Sequence, residues 1–174
     1  SINLSKYILE NDNAEISLDW ANLEKTVTVA VRFLDDVIEV NHYLAPEIKE
    51  IVLGNRKIGL GVMGWAETLS ILEIPYESEK AVQLAEQVMK FIADKSLEIS
   101  RELGKERGTF KNWKESIYYP DMPVRNATRT SIAPTGTISI IANTSSSIEP
   151  FFALAYQRKH VLQNETLQEV NKSL

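Results

Sequence analysis

The sequence predicts a helix-rich α/β chain. Three observations lead there. Residues 18–42 and residues 79–103 each repeat apolar side chains at three- and four-residue steps, the period of an amphipathic helix. Short strand-like runs lie around them, and Thr128 to Ala133 is the clearest. That run stops at Pro134 and passes through a Gly/Thr/Ser turn into another apolar segment.

The totals narrow the function. A net charge of -5 argues against a nucleic-acid binder, which needs a basic face. No apolar run approaches the roughly 20 residues needed to span a bilayer. Ser1-Ile2-Asn3-Leu4 has neither the basic nor the apolar region of a secretory leader, so the cytoplasm is the expected location. The chain has no cysteine, which removes disulfides, thiolate metal sites and thiol or thiyl chemistry from these residues. His42 and His160 are too few and too far apart for a histidine zinc site, so no metal ligand is expected. The first residues lack Met and are apolar at once. They read as cut from something longer.

Residues 1–10 predict a short strand, with a turn at Asn11-Asp12-Asn13. Ser17 or Asp19 caps the first long helix. Its apolar face is Leu23, Val27, Ala30, Val31, Leu34, Val37 and Ile38. Asp35-Asp36 are placed on a solvated face. Pro46 starts a short helix that stops at Gly54-Asn55. Gly59, Gly61 and Gly64 then spell G-x-G-x-x-G, but no buried strand directly precedes them and no βαβ unit follows. A close-packed loop and helix start is the better reading than a dinucleotide site. Ser78 caps the second long helix, whose face is Val82, Ala85, Met89, Ile92, Ser96, Ile99 and Leu103, with Gly104 as its stop. Phe110, Trp113, Tyr118 and Tyr119 anchor a long loop. Residues Asn164 to Leu174 read as the start of a further helix.

The stretch Asn126 to Val161 organises the rest. A strand entering a Gly/Thr/Ser turn and then a helix is a recipe for holding an anion. The turn's free N–H groups and the positive helix end face one spot. Thr135, Thr137 and Ser139 can add hydroxyl donors, and the helix is expected from Ile140 onward.

Residues 125–162, RNATRTSIAPTGTISIIANTSSSIEPFFALAYQRKHVL, resemble the C-terminal half of the ribonucleotide reductase large subunit, most nearly its adenosylcobalamin-dependent class. Arg56 to Trp65 (RKIGLGVMGW) is similar to a second signature of that family, and Ser1 to Tyr7 to the segment after its catalytic finger loop. The resemblance implies that the whole of residues 1–174 is one fragment of the barrel domain, part of the second half of a ten-stranded α/β barrel. It implies that Pro134, Thr135, Gly136, Thr137, Ile138 and Ser139 bind the phosphates of a ribonucleoside di- or triphosphate. It also implies adenosylcobalamin as cofactor of the parent enzyme, with no residue of this chain assigned to it.

The family's radical cysteine, its helping Asn and Glu and its reducing cysteine pair have no counterpart in this sequence. No catalytic residue is therefore placed here, and the chain alone is not expected to reduce ribonucleotides. The implied partners are the substrate and the missing N-terminal portion of the catalytic subunit. Self-association is a further expectation, because a partial barrel has open strand edges. The alternative is a stand-alone, non-catalytic nucleotide-binding or interaction module.

Overall fold

The computed structural model describes residues 1–11, 15–153, 155–161 and 167–173, the last two spans through their backbone. The chain opens with β1 (Ile2–Asn3), a 3-10 turn at Leu4–Lys6, and a hairpin of β2 (Ile8–Glu10) and β3 (Ile16–Leu18). Asn11 closes the hairpin. Its amide donates to the Glu15 carbonyl at 3.0 Å, and its side-chain oxygen accepts from the Glu15 amide at 2.9 Å. Asp12 and Asn13 of the expected turn lie outside the described residues.

Helix α1 (Trp20–Val40) starts at Asp19, whose carboxylate accepts from the Asn22 amide at 3.0 Å. Ser17, the other candidate cap, sits in β3. Leu23, Val27, Val31 and Ile38 are buried on the inner face, while Val37 is exposed. Helix α2 (Pro46–Asn55) begins on Pro46 and ends at Arg56, which takes the left-handed conformation. Next come β4 (Val62–Met63), α3 (Trp65–Ile71) and α4 (Glu79–Arg107). Ser78 caps α4 by accepting from the Ala81 amide at 3.1 Å. Ser78→Ala is expected to lower stability by about 1 kcal/mol, read by thermal denaturation.

Two expectations for α4 need correction. Gly104 does not stop the helix, which runs on to Arg107 with Gly108 after it. A Cβ on Gly104 would stand 2.8 Å from the Pro123 carbonyl, so this glycine serves close backbone contact inside the helix. The inner face also starts one residue early. Ala81 and Val88 are buried and Val82 is exposed, before Ile92, Ser96, Ile99 and Leu103 resume the expected line. Helices α1 and α4 pack on each other, and Leu4, Leu69 and Trp65 complete the core between them and the strands.

Parallel pairing is confined to the lines around residues 58–63 among the described residues. β1 pairs with β4, Ile2 opposite Val62 and Asn3 opposite Met63, and the Ile2 amide donates to Gly61. Residues 58 and 60 bond the other way. The Ile58 amide donates to Thr128 at 3.1 Å, the Leu60 amide to Arg129 at 2.8 Å, and the Ser131 amide to Leu60 at 3.2 Å. Alternate residues of a strand aim their backbone groups at opposite edges, so residues 58–63 are a middle line with a parallel neighbour on each side. The predicted strand Thr128 to Ala133 is an extended run with one bridge, Leu60 to Thr130. The sheets among the described residues are two-stranded, and no ten-stranded barrel closes within them.

The glycine motif follows from this packing. A Cβ on Gly61 would stand 2.5 Å from the Ser131 carbonyl, and one on Gly59 would stand 2.5 Å from the Ser131 hydroxyl. Gly64 is the N-cap of α3 in left-handed conformation. Three of the four aromatic side chains anchor the loop, and Tyr119 is 50% exposed against the edge of Trp113. Phe110 is buried, Trp113 donates to the Met122 carbonyl at 2.9 Å, and Arg129 lies over the Tyr118 ring. The tail departs from the helical expectation. β5 (Ala155–Val161) and β6 (Leu167–Ser173) pair antiparallel, so cross-strand bonding overrides a weak helical pattern in residues 167–173.

Candidate functional site

The predicted anion turn is a helix start. α5 (Gly136–Ile141) begins at Gly136, four residues before Ile140, and its first intrahelical bond runs from the Ser139 amide to the Thr135 carbonyl at 2.8 Å. The amides of Gly136, Thr137 and Ile138 come before that bond and have no intrahelical acceptor. Pro134, Thr137 and Ile138 are exposed, and the space beside Gly136 is open to 4 Å.

The three predicted hydroxyls divide. Thr135 is buried, and its Oγ1 accepts from the Ser147 amide at 2.7 Å. Ser139 is buried too, and its Oγ shares a hydrogen bond with Ser146 Oγ at 2.9 Å. These two side chains hold the segment 144–147 under the turn. Only Thr137 of the three is exposed. The segment is then bound to α3 and β1. The Gly64 amide donates to Ser145 O at 2.8 Å, the Trp65 amide to Ser147 O at 3.3 Å, and Thr144 Oγ1 bonds Asn3 at 3.1 Å and also Glu67. Thr135, Asn143 and Ser147 all have left-handed φ, at 54°, 49° and 45°. Each such non-glycine residue costs on the order of 1–3 kcal/mol and is kept where surrounding bonds enforce it.

The entry to the turn is held by a charge cluster that was not anticipated. The solvated-face reading holds for Asp36 but not for Asp35, which is 0% exposed. Asp35 Oδ1 accepts from Arg56 Nε at 3.0 Å, Arg56 Nη2 at 2.9 Å and Asn126 Nδ2 at 2.9 Å. Its Oδ2 faces Arg107 at 3.3 Å and Arg125 at 3.4 Å. Glu39 accepts from Arg125 at 3.1 Å and also from Arg56, so each arginine of the cluster has a carboxylate partner. The hydrogen bond that Arg107 donates to Asp36 raises its pKa against the cost of burial, and the charges of Asp36, Asp35 and Glu106 add to it. A sequence signal existed: Asp35 sits at helical spacing from Val31 and Ile38, on the inner line rather than the outer one.

Chemically, the turn offers three backbone donors and one exposed hydroxyl, which suits an anion. It carries no acid, base or nucleophile. No group of three or more His, Cys, Asp or Glu that could hold a metal ion occurs among the described residues.

Comparison with known proteins adds the family. The model of the family described as "Ribonucleotide reductase, barrel domain" matches residues 1–122 and 119–174. The chain is 51% identical over 172 residues to a vitamin B12-dependent ribonucleoside-diphosphate reductase of Thermoplasma acidophilum, covering 98% of this chain and 22% of that protein. It is 48% identical over 167 residues to a protein of the same name from Mycobacterium tuberculosis, covering 94% and 23%. To the ribonucleoside-diphosphate reductase subunit alpha of Chlamydia muridarum it is 31% identical over 208 residues, covering 98% and 19%. The chain thus spans about a fifth of the length of these relatives.

Proposed function

From the premise that the chain belongs to the ribonucleotide reductase barrel-domain family, we propose that residues 1–174 are a segment of a catalytic subunit that reduces ribonucleotides to deoxyribonucleotides by radical chemistry. The loop Pro134–Ser139 holds the substrate's phosphates. The observation that carries this reading is the row of amides at Gly136, Thr137 and Ile138, left without intrahelical acceptors beside an exposed Thr137. The relatives' names point to a ribonucleoside diphosphate as substrate. Thr135 and Ser139 act from beneath, fixing the loop on segment 144–147.

The parallel lines 1–3, 58–63 and 128–131 are neighbouring strands of the ten-stranded barrel, and the remaining strands come from the rest of the subunit. That portion also supplies the radical cysteine and its reductants, because this chain contains no cysteine. The names of the relatives point to adenosylcobalamin as the radical source of the whole enzyme. No residue of this chain is assigned to it. A cytoplasmic location belongs to the same proposal, and no helix among the described residues is long and apolar enough to cross a membrane.

Thr137→Ala in the full-length subunit tests the reading. One lost hydrogen bond to a charged phosphate is worth about 1.5–3 kcal/mol, so KM for the nucleotide should rise about tenfold or more, with kcat little changed. An unchanged KM would remove the loop from the substrate site.

A further inference from the structure

The extended run 128–131 carries the candidate loop, yet its own pairing is short. One bridge, Leu60 to Thr130, and three backbone bonds join it to residues 58–60. The line it pairs with is Gly59-Leu60-Gly61, and glycine-rich strands specify their register weakly. A slip of one residue would turn every side chain of 128–131 to the opposite face and shift Pro134–Ser139 along the strand direction.

The fit of Gly59 and Gly61 against Ser131 and the Thr128 hydroxyl bond to Ile58 O at 3.1 Å are what the ladder itself offers, and Asn126 stands where a stronger constraint would act. It is 0% exposed and uses both ends of its amide. Nδ2 donates to Asp35 Oδ1 at 2.9 Å and to the Arg56 carbonyl at 3.1 Å. Oδ1 accepts from Ser100 Oγ at 2.9 Å, and the same hydroxyl accepts from the Asn126 amide at 3.0 Å. The next amide, Ala127, donates to Asn55 at 3.1 Å. Residues 126 and 127 are thus tied to residues 55 and 56, just ahead of the point where the ladder begins at Ile58. Asp35 and Arg56 are themselves immobilised by the arginine cluster, so the tie leads to α1 and α4 rather than to a free side chain.

We propose that Asn126 is a positioning residue for the nucleotide site: its bonds to Asp35, Arg56 and Ser100 set the register of 128–131 and thereby the place of the Pro134–Ser139 loop. The role rests on the phosphate-loop reading above. Asn126 touches no substrate in this scheme and acts only through the strand.

The test uses the full-length catalytic subunit and steady-state kinetics with the ribonucleoside diphosphate. Asn126→Ala removes the hub, and Ser100→Ala loosens it by a smaller change that keeps the fold. Ser78→Ala, a lost helix cap away from the hub, is the control for destabilisation alone. Asn126→Ala and Ser100→Ala are expected to raise KM by about tenfold, the scale of one charge-assisted hydrogen bond, while Ser78→Ala leaves it unchanged. Thr137→Ala combined with Ser100→Ala should raise KM by less than the product of the two single effects, because both act on the same contact. If Thr137→Ala raises KM but Ser100→Ala does no more than Ser78→Ala, the positioning role is overturned and the loop reading stands. If Thr137→Ala itself leaves KM unchanged, the loop reading fails first. Should Asn126→Ala not fold, Ser100→Ala and the double variant decide the outcome.

Discussion

Asp35→Ala should destabilise the protein by about 3–5 kcal/mol, the range for removing one partner of a buried ion pair. The reason is what remains behind. Arg56 is 3% exposed, and its guanidinium loses the bonds to Oδ1 that neutralise it. Arg107 and Arg125 lose their shared neighbour on Oδ2, and Asn126 loses an acceptor. Glu39 cannot compensate, because it already accepts from Arg56 and Arg125. Asp36→Ala provides the contrast. Its partner Arg107 is shared with Asp35, and a pair this open to solvent is worth about 1 kcal/mol at most. Urea denaturation of the two variants reads the difference. Equal losses would mean that Asp35 does not carry the cluster.

Gly64→Ala should come next in size. The residue has φ 79°, where a side chain costs on the order of 1–2 kcal/mol. The added Cβ would also run into Asn3 Oδ1 and stand 2.6 Å from Thr144 Oγ1. Those atoms bond each other, so neither can retreat without breaking the link between β1 and the segment after α5. Overpacking of this kind adds about 1–3 kcal/mol. Thermal denaturation of Gly64→Ala reads the sum of the two costs, and a loss no larger than the roughly 1–2 kcal/mol of the backbone alone would count against the close contact.

The long helices were legible because their causes are local. The apolar period along α1 and α4, the caps at Asp19 and Ser78, and Pro46 at the head of α2 all act within a few residues. What escaped depends on partners distant in sequence. Gly104 reads as a stop until Pro123 is seen against it. Asp35 reads as solvated until three arginines from other segments reach it. The segment Pro134–Ser139 was legible as a turn before a helix. That Thr135 and Ser139 face inward was not, because their partners Ser147 and Ser146 belong to a segment with no pattern of its own.

The Asn126 hub also bears on how the chain acquires its shape. Asn126 lies 91 residues from Asp35 and 70 from Arg56, and Thr144 lies 141 from Asn3. Contacts so distant along the chain form late, because a large loop must close before any bond rewards it. A growing polypeptide therefore displays the edge of residues 58–61 bare until residues 126–131 have emerged. Bare parallel edges invite pairing with other chains. Helices α1 and α4, whose periodicity is local, can assemble in that interval, so the candidate phosphate loop finds its place after them.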